Sequence, residues 1–81
     1  ALSALEAARE RVLLAQQQVE TAIVVEEAEK RRFELGDATI LQVNLREQAT
    51  ADARLSEVDA RLEHALALAD LQAATAELIE R

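Results

Sequence analysis

The stretch Phe33-Glu34-Leu35-Gly36-Asp37-Ala38-Thr39 decides the fold, because it is the one interruption between two long amphipathic segments. Gly36 is the only glycine in 81 residues, and there is no proline. A glycine just beyond an apolar-periodic run belongs at the C′ position of a helix, in the left-handed conformation, with Leu35 beside it covering the last turn. Asp37 or Thr39 is then placed to cap the next helix, and Asp37 also brings negative charge to its positive end. The expectation is an all-α fold: a long antiparallel two-helix coiled-coil hairpin, with helix over 1–34, turn over 35–38 and helix over 39–80.

Upstream of the turn, Leu5, Val12 and Val19 recur every seven residues, and Ala8, Ala15 and Ala22 follow each by three. That is an a/d seam with large residues at one position and alanine at the other, which lets a neighbouring backbone approach closely. Leu13, Leu14, Ile23, Val24 and Val25 form an apolar shoulder off the seam. A lone hairpin has no use for that shoulder, so packing into a larger helical bundle or barrel is expected. Closer to the turn come Glu26, Glu27, Glu29, Lys30, Arg31 and Arg32. They read as a solvated helix end with pairs such as Glu27–Arg31 and Glu29–Arg32, each contributing only about 0.2–0.5 kcal/mol. Phe33, the sole aromatic residue, is expected to plug the hairpin where the helices splay.

Downstream, Leu41, Leu45, Gln48, Ala51, Leu55, Val58, Leu62, Ala65, Ala69, Ala76 and Ile79 fall on one broad stripe, expected to face the first helix. Leu66, Leu68, Leu71 and Leu78 widen it. Gln48 and Asn44 lie within the stripe, where polar residues fix register or line a wet lumen. At 1.5 Å per residue the helices would be roughly 50 and 60 Å long. Folding about Gly36 brings Val19 to Leu55 and Val12 to Leu62, and leaves the residues beyond about Ala74 overhanging.

Composition agrees. The chain is 51% hydrophobic yet 1% aromatic and 31% charged, so a thick globular core cannot be built and long helices are favoured. At 8.9 kDa one core contributes only a few kcal/mol, so burial against further helices is expected on size alone. The net charge of −7 argues against nucleic acid, which requires a basic stripe, and basic residues are too scattered for an anionic membrane surface. No apolar run approaches the ~18–20 residues of a membrane span. The chain opens mid-pattern at Ala1-Leu2 without signal peptide or initiator methionine, which reads as a segment of a larger protein. Absence of cysteine is compatible with an oxidising compartment.

No catalytic constellation is visible, and no cofactor or metal is expected. Ser3 and Ser56 lack a base, and Glu26 and Glu27 point to different sides of a helix. His64, the only histidine, has Ala60, Arg61, Ala67 and Leu68 at helical spacing, no metal set, and reads as a partly exposed packing residue. Gln16, Gln17 and Gln18 read as a polar helix face. Enzyme activity is therefore set aside.

Residues Glu29-Lys30-Arg31-Arg32-Phe33-Glu34-Leu35-Gly36-Asp37-Ala38-Thr39-Ile40-Leu41-Gln42-Val43-Asn44 resemble the second helical hairpin of the TolC-type outer-membrane efflux proteins. In that family an aromatic residue followed closely by glycine ends one long helix, and a short polar stretch with an apolar pair opens the next. Ala49, Ala51, Ala53, Leu62, Ala65, Leu66, Leu71 and Ala74 match the alanine-spaced pattern of the family's closing helix. The resemblance implies a parent homotrimer whose helices form a hollow periplasmic barrel below an outer-membrane β-barrel. It further implies a periplasmic adaptor docked at the tip, which links the barrel indirectly to an inner-membrane transporter. Phe33, Leu35, Gly36, Asp37, Ala38, Thr39 and Ile40 would be the adaptor-contact residues. Ala38 and Gln42 stand where gated members carry charge, leaving Asp37 as the only charge there.

Two other readings fit a helical hairpin. One is the hairpin of a periplasmic adaptor, for which Arg31 and Leu35 would serve at the tip, although the serine expected after the turn is missing. The other is a purely structural coiled coil, which needs only one seam per helix. For the chain alone, the free shoulders predict self-association as an antiparallel dimer or small bundle of hairpins.

Overall fold

The computed structural model describes residues 3–80. Two helices account for nearly all of them: α1, Ala4–Glu34, and α2, Ile40–Glu80. They pack side by side as an antiparallel hairpin measuring 69 × 20 × 14 Å, with no strand among the described residues. The expected start of the first helix at Ala1 and Leu2 lies outside the described residues.

α1 begins at Ser3, whose hydroxyl accepts from the Glu6 amide at 3.1 Å and whose carbonyl accepts from Ala7 at 3.0 Å. An acidic side chain in the first turn and Arg31 and Arg32 in the last complement the helix dipole. The expected seam of α1 is the observed one. Ala8, Ala15 and Val19 are buried, while Leu5, Val12 and Ala22 are half-buried. The seam then continues through half-buried Glu26 to buried Glu29, so the charged run is not simply a solvated helix end.

In α2 the face turned to α1 differs from the expected one. Val43, Thr50 and Ala60 are buried, and Ala53, Glu57, His64 and Ala67 are half-buried. These residues are spaced by sevens, 43-50-57-64 and 53-60-67, which is a complete heptad seam built from small and polar side chains. The leucine-rich stripe faces away: Leu55 is 64%, Val58 61% and Leu62 58% exposed, and Leu41, Leu45, Leu66 and Ile79 are exposed with them. The physical reason is distance. Alanines on both helices bring the backbones close, and leucines at the same contacts would force them apart. Gln48 and Asn44, expected on the inner face, are exposed, and Gln48 donates to Asp52 at 3.2 Å.

The axial alignment is the expected one although the face is not. Arg11 Nε lies 2.6 Å from Glu63, which fixes the level at which Val12 passes Leu62. At that level Val12 shares a groove with Gln16, Arg61 and His64 instead of meeting Leu62. Beside the N-terminal end of α1, Ser3, Ala4, Leu5 and Glu6 line a groove with Ala67, Asp70 and Leu71. Beyond Leu71 the side chains are exposed through Ile79, the expected overhang.

Candidate functional site: the capped turn and the outer face of α2

Two features stand out for function, the closed end of the hairpin and the apolar stripe on the back of α2. The closed end is fully specified by backbone geometry. Leu35 is the C-cap, and Gly36 has φ +82°. Gly36 donates its N–H to the Phe33 carbonyl at 3.0 Å, and Asp37 donates to Arg32 at 2.8 Å. This pair of bonds is the Schellman motif, which satisfies carbonyls that the helix end would otherwise leave open. A Cβ on Gly36 would meet nothing within 4 Å, so only the backbone conformation demands glycine here.

Of the two expected caps for α2, Thr39 is the one used. Its hydroxyl accepts from the Gln42 amide at 3.2 Å, and the Gln42 side-chain oxygen accepts from the Thr39 amide at 2.8 Å. That reciprocal pair is a capping box, with Thr39 at the cap and Gln42 three residues on. Asp37 contributes through its carbonyl, which accepts from Arg32 Nη2 at 3.0 Å.

Behind the turn lies a polar cluster that the sequence reading did not anticipate as buried. Glu29 is 6% exposed, bonded to Arg32 at 2.9 Å and 3.9 Å from Arg46 of α2, so one carboxylate ties the two helices together, and Arg32 in turn reaches the Asp37 carbonyl. The expected Glu29–Arg32 pair is thus present. In place of Glu27–Arg31 the described ion pairs include Glu26–Lys30 at 2.7 Å. Lys30 above all, with the Thr50 hydroxyl and the Arg54 guanidinium, holds the Glu26 carboxyl below the ordinary glutamate value, and Glu26 raises Lys30 in return. Buried Thr50 donates to the Arg46 carbonyl at 3.1 Å, and no buried side-chain polar atom among the described residues lacks a partner. The signal for this cluster was its place in the heptad: Glu29 is seven residues from Ala22 and Thr50 seven from Val43.

The expected tip residues therefore share one end of the molecule. Leu35, Gly36, Asp37, Thr39 and Ile40 are exposed, Ala38 is half-buried, and Phe33 is 43% exposed, so it covers the end only in part and is not a plug. Leu35 and Ile40 give this polar end two projecting apolar side chains.

The back of α2 offers a longer surface. Leu41, Leu55, Leu62 and Val58 recur with the spacing of a second heptad seam, Gln48 occupying the missing position of the seven-residue series. Full burial of one such side chain stabilises by about 1.5–3 kcal/mol. Most of that remains unrealised while the stripe faces solvent. His64 is half-buried, and no group of three or more His, Cys, Asp or Glu suited to a metal occurs among the described residues. No helix among them is long and apolar enough to cross a membrane. In comparisons with known proteins, no family model, no curated protein and no solved structure matches the chain.

Proposed function

We propose that this hairpin is a wall segment of the helical barrel of a trimeric outer-membrane efflux or secretion channel, lying on the periplasmic side of the membrane. Its turn, from Phe33 to Ile40, is the tip that docks a periplasmic adaptor, and an inner-membrane transporter is engaged through that adaptor. The role is structural and recruiting, with cargo passing along the wall unaltered.

The observation that carries this reading is the two-faced α2. One seam of small residues is closed against α1, and a second seam of large apolar residues lies exposed on the opposite side. A helix in a wall has neighbours on both sides and needs two seams, whereas a free hairpin needs one. The resemblance of residues 29–44 to the efflux hairpin supports the finer assignment, and the short, doubly capped end with projecting Leu35 and Ile40 supports a docking tip.

The test is site-specific photo-cross-linking within the intact parent protein in cells, from Leu35 at the tip and from Leu55 on the back of α2. The expected result is an adaptor captured from Leu35 and a helix of the same assembly captured from Leu55. Capture of an outer-membrane channel from Leu35 would replace this reading with the adaptor hairpin. Capture of nothing from either position would leave a structural coiled coil.

A further inference from the structure

We propose that the exposed seam of α2 is a self-recognition surface. Two copies of this chain pair through it, α2 against α2, parallel and in register. The inference rests on the same outer stripe that the wall reading uses: in the wall that stripe meets a neighbouring helix, and in the free chain it takes the α2 of a second copy.

The apolar positions alone do not set direction; the charges beside them do. Along one flank of the Leu41–Gln48–Leu55–Leu62 line run Arg54 and Arg61, and along the other run Asp52 and Asp59. In an antiparallel pair each flank meets its own counterpart, so arginine faces arginine and aspartate faces aspartate. In a parallel pair the basic flank of one helix meets the acidic flank of the other, with each residue reaching the one five positions on in its partner. That rule brings Arg54 to Asp59 of the second copy, twice by symmetry, and sets Glu47 beside Asp52 as the one like-charged contact. Neither Arg54 nor Asp59 forms a close ion pair within the hairpin among the described residues, Arg54 acting on Glu26 only at longer range, and both residues are exposed. Asp52 and Arg61 are already engaged, with Gln48 and Glu57 respectively. The one acid on the basic flank, Glu47, lies near Lys30 of its own chain and helps raise its pKa. In register, Gln48 also meets Gln48 of the second copy, a polar pair inside an apolar seam of the kind that penalises slipped alignments.

The chain has no cysteine, so single-cysteine variants report orientation directly. Gln48→Cys and Ala76→Cys lie on the stripe roughly 42 Å apart along the helix. In the parallel pair each oxidises to a disulfide homodimer by itself. In the antiparallel pair neither does, and Gln48→Cys instead links to Ala65→Cys in a mixture. Equilibrium sedimentation supplies the energetics. Arg54→Glu is expected to weaken the dimer roughly five- to tenfold, and Arg54→Glu with Asp59→Arg in one chain to restore it to within about threefold. Circular dichroism should show unchanged helicity, since both positions are exposed in the hairpin. A monomer at 100 μM, an antiparallel cross-linking pattern, or no rescue by the charge exchange would each overturn the proposal. The adaptor cross-link from Leu35 is read independently, so loss of one result leaves the other standing.

Discussion

The two faces of α2 are built from opposite kinds of residue. The face against α1 carries Val43, Thr50, Ala53, Glu57, Ala60, His64 and Ala67, and the face away from it carries Leu41, Leu55, Val58, Leu62 and Leu66. Hydrophobicity alone would have assigned them the other way round. The difference teaches that closeness, not apolarity, selects the inner face of a thin hairpin. Alanine on each helix permits close packing, and the polar members of the seam are tolerated because every buried one is bonded. The outer face keeps its large side chains for a more distant contact.

Four substitutions test that contrast. The largest effect is expected from Ala60→Leu on the inner face, where the added bulk must push the helices apart. A loss of about 1–3 kcal/mol in thermal or denaturant unfolding is expected, and an unchanged midpoint would mean the inner face is not closely packed. Next comes Gly36→Val, which leaves both faces intact but disturbs the device that orients them. With open space around its Cβ, the cost is purely conformational, about 1–2 kcal/mol. Gly36→Asn, which tolerates the same backbone region, should recover part of it. The smallest effect is expected from Leu62→Ala on the outer face. Measured at concentrations low enough to keep the chain monomeric, it should change stability by less than about 0.5 kcal/mol. A loss matching Ala60→Leu would abolish the distinction between the faces.

Much of the architecture was legible in the residues. The turn could be placed because a single glycine stands between two periodic runs, and Leu35-Gly36 has the signature of a helix terminus. The α1 seam could be read because its heptads alternate large and small residues. The orientation of α2 was not legible from hydrophobic periodicity, since two heptad series share that helix and the louder one faces outward. The quieter series, 53-60-67, matches the alanines 8-15-22 of α1, and that match was the available clue. At the turn, the choice between Asp37 and Thr39 as cap depended on Gln42, which completes the capping box only with Thr39. Burial of Glu29 was hidden because its partners come from two places: Arg32 on the same helix and Arg46 on α2.

The absence of any glycine or proline inside α2 has a mechanical consequence. A helix of 41 residues without a flexible joint behaves as a shaft, transmitting rotation about its own axis as well as thrust along it. The stripe through Leu62 and the capped turn are fixed on that shaft about 33 Å apart. Whatever grips the stripe therefore sets the compass direction in which Leu35 and Ile40 project. A twist of the shaft by one residue position, about 100°, would carry the tip to a different bearing altogether. The hairpin is thus an aimed end, and its aim is decided far from the tip itself.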